Sequence, residues 1–444
     1  MIYRFLKTWL LPIVALIAVG IALVTYESDY LFKVQELNLF LYSKMFFEQQ
    51  MVVSGGLLTW LGTYFTQYFY YPALGTTLLC LWLGLMMWLF KHAFRIADRY
   101  SALLLVPLAL VAITDVDLGY WIYYLKLRGH FFIAPMGFSW AFAMVWAYRV
   151  LPTKWWLRTI WLPISVALSY PFVGIYSLIA ALTMAVMALV ANKSIGRKVI
   201  DAIVAVLSLV AVPLVYYRTI FSQTKISDIW YTALPLFRTD VNHLAYYTPW
   251  IAMTALMLIL ALTIRIEVAE KPRKPLLFWA SQIVLVALVA VGTWHFWYKD
   301  KNFHHEIVMS HCIDNKDWEG VLTEYRNMDA DEEPTRMMWM MKNLALTRLG
   351  RAGDEMFRYK NGDAHSDAPF EVRLTQIGGK QIYYNYGQIN FCYRWCLEDG
   401  VEYGWRVDFI KYLLKCSILN GEMEAAQKYI DILKQTKYYA NYGE

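Results

Sequence analysis

The chain predicts an all-α protein: a polytopic transmembrane helical bundle of about nine spans over residues 1–298, then a helical, tetratricopeptide-like periplasmic domain over 299–444. Three observations carry this. The composition is 59% hydrophobic with a mean hydropathy of +0.36, above the half expected of a soluble globular chain. Apolar stretches recur throughout the first 300 residues, separated by connections of two alternating kinds. Turn-like sites then recur at a nearly fixed spacing in the remainder.

The apolar stretches fall near 8–26, 73–90, 101–119, 131–149, 159–171, 174–192, 199–216, 250–264 and 276–298. One kind of connection is short and basic, as at Lys91, Arg95 and Arg99 or at Arg149, Lys154 and Arg158. The other is longer, aromatic and acid-bearing, as at Glu27, Asp29, Glu36 and Glu48, or at Asp115 and Asp117. Lysine and arginine beside spans are retained in the cytoplasm, so the basic connections face inward and the aromatic ones outward. The N-terminus is then cytoplasmic. The first loop, 27–72, the loop 217–249 and everything from Lys299 onward lie outside. The start Leu10 to Tyr26 has no small-residue cleavage pattern at Val24-Thr25-Tyr26-Glu27 and reads as an uncleaved signal anchor.

Two segments are apolar without reading as spans. Residues 53–71 and 118–130 are rich in tyrosine and tryptophan, which favour the membrane interface because each ring has an apolar body and a polar tip. A span at 53–71 would also carry the basic loop at Lys91 to the outside. The second segment is too short to cross.

In the tail, turn sites at Asn315, Gly350, Gly387 and Gly421 are separated by 35, 37 and 34 residues, with helical patterns on either side. That period is expected of stacked helix-turn-helix units of the tetratricopeptide type. Cys392 and Cys396 share a helix face there, and a bridge from either to Cys416 is open. Small apolar fillers of helix interfaces is the plainer expectation. The group His304, His305, Glu306 and His311 reads as a solvated helix start rather than a metal site.

Function is bounded by exclusion. The net charge of +6 is explained by loop topology and implies no nucleic-acid partner. Spans nearly free of charge argue against an ion-coupled transporter. Acids do gather just outside the first span, at Glu27 and Asp29. A carboxylate at that wet boundary could serve as general base, or hold a divalent cation beside a lipid-borne phosphate.

The first hundred residues, with an N-terminal span, an acidic outer loop, interfacial helices and then SGGLLTWLGTYFTQYFYYPALGTTLLCLWLGL, resemble the opening of polytopic GT-C glycosyltransferases. The resemblance implies transfer of a sugar or glycan from a polyprenyl-phosphate carrier, with Glu27 or Asp29 catalytic. The chain shows Glu27-Ser28-Asp29 where those enzymes commonly carry adjacent acids. The donor phosphate would be held by cations such as Lys33, Arg128, Arg218, Lys225 or Arg238, with His130 and His243 as proton carriers. Nearly the whole chain, including Gly55 to Gly75 and the terminal LNGEMEAAQKYIDILKQTKYY, resembles uncharacterised multi-pass inner-membrane proteins of Bacteroidota that end in tetratricopeptide-like repeats. No activity comes with that likeness. A second reading therefore stands beside the enzyme: a non-enzymatic scaffold anchored in a bacterial inner membrane, whose repeats hold a protein or glycan partner in envelope assembly or secretion.

Overall fold

The computed structural model describes residues 2–125, 129–152, 154–236, 246–265, 275–328, 333–360, 362 and 374–443; for 2–7, 265 and 443 only the backbone is described. The described residues are helical, with no strand among them. Every apolar stretch of the sequence lies in helix. In chain order, α1 (Ile2–Tyr26) leads into three short helices, α2 (Ser28–Glu36), α3 (Lys44–Gln50) and α4 (Gly56–Thr66). The bundle continues with α5 (Pro72–Phe94), α6 (Leu105–Val116), α7 (His130–Val150), α8 (Trp155–Val173), α9 (Ile175–Ala191), α10 (Ile195–Thr219), α11 (Thr248–Leu262) and α12 (Pro275–Phe296). Among the described residues six helical segments are long and apolar enough to cross a membrane: Thr8–Tyr26, Pro72–Phe94, Asp98–Val116, His130–Val150, Ile195–Thr219 and Pro275–Phe296. Helices α9 and α11 are apolar but shorter.

Burial separates the inside of the bundle from its rim. Helix α7 runs along α5 and α9 and is buried along most of its length, with Phe131, Phe132, Phe138 and Phe142 all at most 1% exposed. Its approach to α9 depends on Gly137, where a Cβ would lie 2.5 Å from the Tyr176 ring. Tyr176 in turn accepts a hydrogen bond from Trp250 Nε1 of α11 at 3.1 Å. The rim has the opposite character. Helix α10 exposes Val199, Ile203, Val206 and Val210 on one face, and α12 buries no residue. Such a continuous apolar face would be a liability in water and is the expected surface toward lipid. The one acid in the middle helices of the rim, Asp201, is satisfied by Trp155 Nε1 (3.1 Å), Thr159 Oγ1 (2.7 Å) and the Asn192 amide, which ties α8, α9 and α10 together.

The two segments expected at the interface are short in the structure. Helix α4 has eleven residues, about 17 Å at 1.5 Å per residue, too short to cross. The stretch after α6 is a 3-10 turn, Gly119–Tyr123, whose five residues are all buried.

After α12 the chain forms α13 (Lys301–Asp314), α14 (Trp318–Arg326), α15 (Arg336–Arg348), the single turn α16 (Ala352–Glu355), α17 (Lys380–Asn385), α18 (Ile389–Tyr403), α19 (Val407–Leu419) and α20 (Met423–Lys434). Successive helices pack on one another. Four of the connections share one local design. Lys316, Gly350, Gly387 and Gly421 all adopt the left-handed conformation, with φ of 59°, 70°, 78° and 76°. In each, the left-handed residue's N–H bonds to the carbonyl three back, and the next residue's N–H bonds to the carbonyl five back. At Gly387 these are Gly387 N to Tyr384 O (3.1 Å) and Gln388 N to Tyr383 O (2.9 Å). This is the Schellman closure, which satisfies carbonyls that a helix end would leave orphaned. At the first site the left-handed residue is Lys316, one beyond the Asn315 read from the sequence. The second unit is irregular, since its second helix is the four-residue α16 followed by a 3-10 turn, Met356–Arg358.

Candidate functional site

Helix α1 ends at Tyr26 and α2 begins at Ser28, so Glu27 is the single residue at the break between a candidate span and the short helix that follows it. It is 5% exposed. The break between α12 and α13 carries partners to it. Trp297 Nε1 donates to Glu27 Oε1 at 2.7 Å, and His304 Nε2 of α13 lies 3.9 Å from Oε2. Burial pushes the Glu27 carboxyl up to about 7, against the opposing effect of the Trp297 bond. Burial and the charge of His305 lower His304. A carboxyl that ionises near neutral pH beside an imidazole can hold or pass a proton, which is the chemistry required of a general acid or base.

Other acids lie close by. Tyr30 OH donates to the Asp115 carbonyl at 3.0 Å, and Tyr298 N donates to the Val116 carbonyl at 2.9 Å, so α2 and the start of the C-terminal domain both clasp the end of α6. Asp117, one residue beyond α6, is pushed up to about 6 by burial, with His295 opposing.

Asp29 faces a different way. It is exposed and lines a cleft of about 180 Å³ with Ser28, Phe32, Lys33, Pro72 and His311. Partial desolvation raises its pKa, and the nearby His311 pulls the other way. The cleft is smaller than the 300–1,000 Å³ usual for a small-molecule pocket. Lys33 is 2% exposed, with its Nζ 3.2 Å from Glu36 Oε2 and 3.4 Å from Ser310 Oγ, so its charge is already matched. Arg218, in the last turn of α10, and Lys225 beyond it are exposed, and neither contacts Glu27 or Asp29. Arg128, Arg238 and His243 lie outside the described residues. His130 opens α7 and lines a narrow cavity with Tyr176 and Trp250. Among the described residues no three His, Cys, Asp or Glu groups converge as a bound metal would require. The five cysteines are free, and Cys392, Cys396 and Cys416 are buried together inside a small apolar core.

Of the His304 group, read as a solvated helix start, only His311 is exposed; the others are partly or fully enclosed. Glu306 is 1% exposed, accepts from Tyr120 OH at 2.9 Å and from Thr335 Oγ1, and is pushed up to about 7 by burial. His305 Nδ1 lies 2.6 Å from Glu324 Oε1. The reason is packing: α13 is sandwiched between α2, α14 and α15, so its polar side chains must find partners there.

Sequence reasoning missed a lattice of buried charge that fastens α2 to the C-terminal helices. Lys411 Nζ of α19 lies 3.5 Å from Glu36 Oε1, so Glu36 is shared by Lys33 and Lys411. Lys380 of α17 pairs with Asp408 of α19 at 2.8 Å, with both side chains at most 3% exposed. Burial opposes the ionisation of Asp408, yet Lys380, Lys33 and Arg406 hold its pKa below the usual range. Tyr412 OH donates to Asp314 (2.6 Å) and Tyr439 OH to Gln35 (2.7 Å). Arg406, fully buried, donates to the Tyr123 carbonyl in the outer 3-10 turn and stacks on Phe409, 4.7 Å from the ring centre. The one sequence signal was charge at Lys380, Asp408 and Lys411 in otherwise apolar helical stretches, which burial alone would make costly.

The profile of a family of unknown function, DUF6057, matches residues 3–444, and the chain belongs to that family. Comparison with curated proteins and with solved structures gives no match.

Proposed function

We propose that the protein is a membrane-embedded scaffold: about nine spans in a bacterial inner membrane carry a tetratricopeptide-like helical domain, clamped to the periplasmic face, that binds an envelope-assembly or secretion protein. The observation that carries this is the ion lattice of Lys33, Glu36 and Lys411 with Lys380 and Asp408. Its side chains are at most 13% exposed, and it joins the first outer helix to the far end of the chain. Buried pairs of this kind add little net stability over apolar packing, and their best-attested use is to fix one arrangement of the parts they join. A rigid platform needs this, whereas an enzyme closing over a lipid-linked donor needs a cavity. The domain also leaves an apolar edge uncovered. Phe391, Leu419 and Met423 are 53%, 59% and 61% exposed, and the Asn420–Asn390 hydrogen bond (3.0 Å) holds the α18 and α19 ends side by side.

The experiment is photocrosslinking from Phe391 and Leu419 in intact cells. A discrete adduct from each position, with the Leu419 adduct lost on Phe391→Asp, supports the scaffold; no adduct at either refutes it. The GT-C-like reading is kept by one observation, the Glu27 carboxyl near 7 beside His304, next to the Asp29 cleft. In it Glu27 or Asp29 is the base for glycan transfer from a polyprenyl phosphate. Loss of a surface glycan in the Glu27→Ala, Asp29→Ala double variant, with the protein folded and inserted, would carry that reading instead.

A further inference from the structure

At the opposite end of the bundle, the basic ends of α5, α7 and α8 surround two adjoining cavities. One, of about 390 Å³, is lined by Lys91, His92, Arg95, Trp146 and Arg149; the other, of about 250 Å³, by Arg95, Tyr148, Arg149 and Arg158. Arg95 and Arg149 belong to both. Lys91 is paired with Asp98 at 2.5 Å. The three arginines have no carboxylate among the described residues. Arg149 donates only to the Ala93 carbonyl (2.9 Å). Arg158 donates to the Leu151 carbonyl (3.2 Å) and lies over the Tyr148 ring, while its Nε is buried without a hydrogen-bond partner. Arg95 is exposed, caps α5 in the left-handed conformation (φ 50°) and makes no side-chain polar contact among the described residues.

Three guanidinium groups around a shared space, with no carboxylate paired to them among the described residues, repel one another, and an anion that accepts several hydrogen bonds relieves that repulsion. The planar fork of arginine matches phosphate oxygens. The surroundings indicate where that phosphate comes from. On α5, Leu81, Leu85 and Trp88 are 65%, 42% and 38% exposed at i, i+4 and i+7, an apolar stripe leading straight to His92 at the cavity mouth. Val150, 67% exposed, forms the opposite rim. A free phosphate has no use for such a stripe, whereas acyl chains do. We infer that the Arg95–Arg149–Arg158 cavity is a headgroup site for an anionic phospholipid, whose phosphate sits among the arginines and whose chains lie along α5. On the nine-span topology this is the cytoplasmic leaflet, where basic pockets between helices hold such headgroups.

The test uses the full chain in detergent, with lipid retention read by native mass spectrometry. Wild type is expected to retain phosphatidylglycerol and not phosphatidylcholine. Arg149→Gln, which keeps a donor for Ala93, and Arg95→Asn, which suits the left-handed position, are each expected to weaken phosphatidylglycerol binding about tenfold or more, as loss of a charge-assisted bond does. Because Arg95 holds nothing in the fold, its variant decides the matter if Arg149→Gln fails to fold. Equal retention of the two lipids, or unchanged retention in Arg95→Asn, overturns the proposal. Displacement of the lipid by inorganic phosphate at equal concentration also overturns it, because the site would then be one for the free anion.

Discussion

Replacing Glu27 with glutamine isolates the energetic consequence of burying an acid at the end of a candidate span. The folded chain raises this carboxyl from 4.5 to about 7, chiefly by burial. The folded state therefore binds more protons than the unfolded state between those values, and stability falls as pH rises through that window. The contribution is fully present below about pH 4.5 and gone above about pH 7. A shift of about 2.5 units at 1.36 kcal/mol each is on the order of 3 kcal/mol, with little screening because the residue is 5% exposed. Glutamine keeps an oxygen for Trp297 Nε1 and has no proton to lose. Glu27→Gln is thus expected to match wild type near pH 4.5 and to exceed it by up to about 3 kcal/mol near pH 8. The assay is unfolding of the full chain in mixed micelles across that range, with the difference between the two proteins plotted against pH. Glu306, Asp117 and Asp399 titrate in overlapping windows and cancel in that difference. A difference that is flat with pH, or that favours wild type at pH 8, would refute the reasoning.

Three further outcomes follow from the same geometry. Lys380→Met leaves Asp408 buried without its 2.8 Å partner and should cost about 3–5 kcal/mol, seen as protease release of the C-terminal helices, while Lys380→Met with Asp408→Leu should recover most of it. Gly421→Ala, in open space but at φ 76°, should cost about 1–2 kcal/mol in chemical unfolding, whereas Gly353→Ala, equally uncrowded and not left-handed, should be neutral or better. Tags at residue 195 should be reachable only from the cytoplasm and tags at 225 and 440 only from outside; labelling of 440 from the cytoplasmic side alone would overturn the proposed topology.

What local chemistry decides was legible in the chain. Nine apolar stretches are mainly helical because each is a long apolar run, helical even across internal prolines such as Pro135, Pro163 and Pro213, and Gly350, Gly387 and Gly421 close helices because only glycine adopts φ near 75° without strain. The acids that follow the first candidate span were legible too, as charges at the end of an apolar run. Their surroundings were not. Glu27 is tied to Trp297, 270 positions away, and Lys33 to Glu36 and thence to Lys411, so a residue read as a free cation is a buried, neutralised one. Likewise His304 and Glu306 read as solvated because nothing in their neighbourhood of sequence reveals that α2, α14 and α15 will enclose their helix. The sequence by itself determined where helices form and where they stop, since hydropathy and backbone freedom act within a few residues. Only the tertiary structure decided which charges meet and which stay unmatched, as at Arg95, Arg149 and Arg158, because burial and Coulomb interaction depend on distance in space and not on separation along the chain.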